Sequence, residues 1–151
     1  MRRHPRARRL QVVLDLTERE EQEALRVWGE IQQKLNDEKM QRQQLQEYTQ
    51  EYQQKISAPA TTAVSAGIIH NALGFMAQIE TALQRQNEQI RLLQGRAEKA
   101  QESYLILHGK VKALTELIER LEQEAQQLDD KDAQKQADEW ANRAAFRARQ
   151  H

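Results

Sequence analysis

The stretch IRLLQGRAEKAQESYLILHGKVKALTELIERLEQ, residues 90–123, decides the fold. Within it Ile90, Leu93, Ala97, Ala100, Tyr104, Leu107, Val111, Leu114, Ile118 and Leu121 follow one another by alternating steps of three and four. The series runs back through Gln86, Leu83, Ile79, Met76 and Ala72 to Ile69, and forward through Ala125 to Leu128; Gln86 is its one polar member. A seven-residue apolar repeat sustained over this length requires a helix whose seam lies against another helix. The second half of the chain therefore reads as the long strut of a coiled coil, which implies a partner surface more readily than an active site.

Working outward from this strut, residues 10–57 carry a second series: Leu10, Leu14, Thr17, Glu21, Ala24, Trp28, Ile31, Leu35, Glu38, Arg42, Leu45, Thr49, Tyr52 and Ile56. This seam is weaker, because Thr17, Glu21, Glu38, Arg42 and Thr49 stand where apolar knobs belong. Such polar members either fix the register of the coil or lie in solvated gaps. Between the two series, Ser57-Ala58-Pro59-Ala60-Thr61-Thr62-Ala63-Val64-Ser65-Ala66-Gly67 is the only break. Pro59 disfavours helical geometry at Ala58, and Thr61, Thr62 or Ser65 is suited to cap the helix that follows. A short connection between two amphipathic helices makes an antiparallel hairpin.

The predicted fold is all-α: a long antiparallel two-helix coiled-coil hairpin over residues 10–147, with helix 1 about 10–57, a hinge about 58–66 and helix 2 about 67–147. Residues 1–9 are predicted to form a basic, disordered tip, and residues 148–151 a tail. Folding back at about residue 62 sets Ile56 near Ile68 and Leu10 near Leu114. Helix 2, at about 125 Å against about 70 Å for helix 1, then overhangs its partner beyond Leu114. The overhang continues the stripe with Ile118, Leu121, Ala125 and Leu128, and after a one-residue skip with Ala133, Ala137, Trp140 and Ala144. A solitary helix has nothing to bury these against, so the overhang is expected to bind another protein or to self-associate.

Composition supports this and excludes other classes. The chain has 151 residues, of which 30% are charged, 38% hydrophobic and 5% aromatic, and its mean hydropathy is -0.93, too polar for an ordinary globule. Only two prolines and five glycines interrupt it. The formal net charge of zero argues against nucleic-acid binding, which needs an uncompensated basic face. Charge is nevertheless segregated: Arg2, Arg3, Arg6, Arg8 and Arg9 lie at one end, while Glu116 to Glu139 holds nine acidic and three basic side chains. No cysteine is present, which fits a reducing cytosol, and no apolar run approaches the ~18 residues of a membrane span. The chain is read as soluble and cytoplasmic.

No phosphate-binding glycine loop, His-Glu-x-x-His pair or Gly-x-Ser-x-Gly elbow occurs. His4, His70, His108 and His151 are scattered, with no second histidine three or four residues away to share a metal. Paired acids such as Glu20 and Glu21, or Asp129 and Asp130, have no cleft to raise their pKa, and a two-helix hairpin offers none. The expectation is a protein without catalytic residues, cofactor, metal or small-molecule substrate.

Several segments occur in an order that carries more specific information: Leu14-Asp15-Leu16-Thr17-Glu18-Arg19-Glu20-Glu21, Trp28-Gly29-Glu30-Ile31, Glu47-Tyr48 with Glu51-Tyr52, Ser65-Ala66-Gly67-Ile68, Phe75-Met76-Ala77-Gln78-Ile79-Glu80, and Asp138-Glu139-Trp140-Ala141-Asn142-Arg143-Ala144-Ala145. Together they resemble the flagellar type III export protein FliJ family over about residues 10–147. The resemblance implies a non-enzymatic component of the flagellar export apparatus, similar in fold to the central stalk of rotary ATPases. Its implied partners are the hexameric export ATPase, the cytoplasmic domain of the export gate and substrate-specific export chaperones. It further implies a cytoplasmic location, peripheral at the inner face of the membrane through the apparatus.

By the same resemblance Phe75 and Ile79 match the apolar pair used toward the export gate. They share a helix face, but Ile79 is also a seam position, so packing of both on helix 1 is the alternative. For the ATPase the resemblance and the overhang together point to Asp138, Glu139, Trp140, Arg143 and Phe146. The unequal arms favour a monomer before assembly. The stalk of a virulence-type injectisome and a self-associating structural coiled coil are the alternative readings.

Overall fold

A computed structural model describes residues 4–57 and 66–150. It contains two α-helices, α1 from Pro5–Ser57 and α2 from Ala66–Arg149, and no strand among the described residues. The protein is an all-α two-helix hairpin, as the two heptad series predict. Of the expected hinge, about 58–66, residues 58–65 lie outside those described, and α2 opens at Ala66.

α1 starts five residues earlier than its heptad series. Pro5 occupies the first helical position, where its fixed φ suits the helix and its missing N–H costs nothing. His4 caps this start: its carbonyl accepts from the Arg8 N–H at 3.0 Å, and its Nδ1 accepts from the Arg6 N–H at 3.1 Å. The described part of the basic end is therefore helical, where a disordered tip was expected, and Ala7 within it is only 1% exposed.

The contacts group into two units, each an antiparallel pairing of α1 with α2. In the unit formed by residues 1–22 and 105–151, Ala7, Leu14, Ile118 and Leu121 make a buried cluster, with Leu10, Val111, Leu114 and Leu117 packed on it. Thr17 is buried as well, and its hydroxyl donates to the Val13 carbonyl at 2.7 Å, so the polar atom is satisfied within its own helix. His108 Nδ1 lies 3.0 Å from a carboxylate oxygen of Glu21.

In the unit formed by residues 23–104, Leu35, Ile90 and Leu93 are buried together with Ile31 against them. Trp28 stacks on Tyr104 with ring centroids 5.7 Å apart, and Tyr52 tilts against Phe75 at 5.0 Å. Arg42 donates to Asn87 Oδ1 at 3.1 Å, and Thr49 donates to the Leu45 carbonyl at 3.0 Å. A chain folded at about residue 62 would set position 82 opposite Arg42 and position 72 opposite Tyr52. Arg42 and Tyr52 instead meet residues about one turn further along α2, Asn87 and Phe75.

This shift, together with the earlier start of α1, moves the end of the covered region. Ile118 and Leu121 are buried rather than projecting, and the exposed far end of α2 begins at Gln127, from which every residue to Arg149 is exposed. Gly74, Gly95 and Gly109 face outward, since a Cβ at any of them would meet nothing within 4 Å.

Candidate functional site

The geometry defines two regions with surface available to a partner. The first is the flank of the 23–104 unit near the start of α2. The second is the stretch of α2 from Gln127 onward.

Phe75 and Ile79 are separated by the structure. Ile79 is 5% exposed and belongs to the seam, whereas Phe75 is 45% exposed with one side of its ring against Tyr52. Of the two residues matched to a gate-binding pair, only Phe75 offers surface; Ile79 supports the helix beneath it. Ile68, seven residues earlier and hence on the same flank of α2, is also exposed. Ile68 was not among the residues expected at this surface, although its spacing of one heptad from Phe75 was the available signal.

Asp138, Glu139, Trp140, Arg143 and Phe146 all lie on the exposed stretch, and Trp140 is 76% exposed. A helix turns about 100° per residue, so Trp140 and Phe146, six apart, are on different faces. Arg143 stands three residues from each and links them. The structure therefore brings these five residues together as one rod end, with aromatics on two sides and charge between, rather than as a single patch.

Between these regions the polar seam residues find one another. Gln86, the one polar member of the α2 series, donates from Nε2 to Glu38 at 2.8 Å and to Gln41 at 3.2 Å. It is 8% exposed, and its Oε1 is buried without a hydrogen-bond partner. A buried polar layer of this kind costs stability relative to leucine but penalises every register in which Gln86 and Glu38 fail to meet. On the outer faces, the Arg26 guanidinium hydrogen-bonded to Glu23 holds that carboxyl below its usual range, and Arg91 does the same to Glu88. Arg26 also pairs with Glu30. These are helix-surface pairs three or four residues apart, of the kind that support a helix rather than perform chemistry.

Among the described residues no group of three or more His, Cys, Asp or Glu side chains is placed to hold a metal ion. No helix there is long and apolar enough to cross a membrane. Two helices zipped by a heptad seam, with a far end of exposed aromatics and charge, make this a coiled-coil hairpin protein with surface open on the flank near Phe75 and along the last part of α2. The chain matches the family model described as Flagellar FliJ protein over residues 6–150, and it belongs to that family. No curated protein and no solved structure matches it. Membership makes it a flagellar export-related component.

Proposed function

We propose that this chain is a non-enzymatic, stalk-like component of the flagellar type III export apparatus that engages the export ATPase hexamer through the exposed end of α2. The observation that carries this reading is the coincidence of a family match over residues 6–150 with a helix end at which every residue from 127 to 150 is exposed. Asp138, Glu139, Trp140, Arg143 and Phe146, aromatics with flanking charge on that exposed end, are the residues for the ATPase. Phe75, with Ile68 beside it on the flank, contacts the cytoplasmic domain of the export gate, and Ile79 acts only by holding the seam. Escort of substrate-specific chaperones, and a cytoplasmic location at the inner face of the membrane through the apparatus, complete the reading. The flagellar family match favours it over an injectisome stalk.

The test is binding to, and stimulation of, the flagellar export ATPase by the full chain and by Trp140→Ala with Phe146→Ala. Stimulation lost in the variant at unchanged helicity is the expected result; equal stimulation by both chains would remove the rod end from the interface. Phe75→Ala is expected to weaken gate binding while ATPase binding holds. Equal loss of both, with a lower melting temperature, would mean that Phe75 only packs on Tyr52.

A further inference from the structure

Beyond Leu128 the stripe changes phase. Leu128 is followed by a step of five to Ala133, and then Ala137, Trp140 and Ala144 follow by steps of four, three and four. That sequence of steps reads the same in both directions. Two copies laid antiparallel therefore place Ala133 of each against Ala144 of the other, and Ala137 of each against Trp140, a small residue facing a large one.

The next positions of the same stripe, three residues outward at either end, are Asp130 and Arg147. In the antiparallel arrangement Asp130 of one copy meets Arg147 of the other at both ends. In a parallel arrangement Asp130 would face Asp130 and Arg147 would face Arg147. The surrounding charge repeats the choice: residues 129–139 hold five carboxylates and two lysines, while residues 143–149 hold three arginines and no acid. All of these side chains are exposed, and Asp130 is oriented by a bond from Gln126 Nε2 at 3.0 Å.

We infer that the free protein pairs with a second copy of itself, antiparallel, through the exposed end of α2, with Trp140 packed on Ala137 and Asp130 paired with Arg147 at each end. The interface is isologous, so it closes at two copies and builds no filament. Its extent is one stripe along the 23 residues from Gln127 to Arg149, about 35 Å of helix, which is smaller than a standard stable interface. The dimer is correspondingly weak, with a Kd of roughly 10 to 100 µM, and easily displaced. The heptad seam needs no second copy; only the projecting end does. The inference does not depend on which partner takes this end in the assembled apparatus.

The test is sedimentation velocity of the full chain across concentration at low and high salt, with three charge variants. The wild-type chain is expected to show a monomer–dimer equilibrium that weakens with salt. Asp130→Arg alone and Arg147→Asp alone each set like charges at both ends and are expected to raise the Kd about tenfold or more. The double variant Asp130→Arg with Arg147→Asp restores the pairing and is expected to recover the wild-type value. A wild-type chain still monomeric at about 500 µM, well above the expected range, overturns the inference. So does a dimer indifferent to both single reversals or one that the double variant does not rescue. Because both positions are exposed, circular dichroism melts of the variants should match wild type, which separates loss of pairing from loss of fold.

Discussion

Residues 72–126 and 127–149 of α2 belong to one continuous helix, and both carry an apolar stripe, yet only the first stretch has a partner along it. In the covered stretch the steps of three and four keep the stripe on one side, and its members from Ala72 to Ala125 are all buried or half-buried. After Leu128 the step of five rotates the stripe by about 100°, so that even a longer α1 following the same groove would not cover it. The covered stripe holds the fold; the uncovered one is available for association. The same side-chain types thus contribute to stability in one half and to binding in the other, and substitutions can separate the two.

The largest expected effect lies in the covered stretch. Ile90, buried with Leu35 and Leu93, should cost about 3 kcal/mol when replaced by alanine, read as a clear fall in the thermal midpoint by circular dichroism. A smaller effect of opposite sign is expected at Gln86→Leu. Removing a buried amide whose Oε1 has no partner should raise stability by about 1 kcal/mol. The same change should broaden the distance distribution between spin labels at positions 42 and 87, because the polar layer no longer rejects shifted registers. A raised midpoint with an unchanged distribution would show that the layer does not set the register.

In the uncovered stretch Trp140→Ala should change stability by less than about 0.5 kcal/mol, because the side chain is largely exposed. A substantial drop in melting temperature for this variant at micromolar protein would erase the distinction between the stretches. The smallest effect concerns pH. Glu23 and Glu88 have folded-state pKa values lowered by Arg26 and Arg91, so their contribution is present above the ordinary carboxylate range. It is lost as pH falls through the depressed folded values. Both pairs are solvent-exposed, so a shallow decline in helicity on acidification is expected, abolished by Glu23→Gln with Glu88→Gln.

Much of this architecture was legible beforehand because heptad spacing is a local signal with a single physical interpretation. Every α1 seam position from Leu10 to Ile56 is at least partly buried, including the polar Thr17, Glu21, Glu38, Arg42 and Thr49. What those polar residues do was not legible. Thr17 and Thr49 bond back to their own helix, whereas Glu38 and Arg42 reach across to Gln86 and Asn87, and spacing alone does not distinguish the two behaviours. The start of α1 was misplaced because a run of arginines reads as a solvated tip; Pro5, the His4 cap and the burial of Ala7 outweigh that composition. Phe75 and Ile79 illustrate the same limit, since a shared face four residues apart does not reveal that Tyr52 leaves one partly open while the seam closes over the other.

By itself the sequence determined two helices, their seam faces and the exposed composition of the far end of α2, because each follows from periodicity and propensity within one segment. The tertiary structure decided how far α1 slides along α2, and hence that Ile118 and Leu121 are core while Trp140 is surface. It also decided which polar residues meet across the seam. Those outcomes depend on the free energy of one helix against another, summed over contacts distant in the chain, and no local pattern carries that sum.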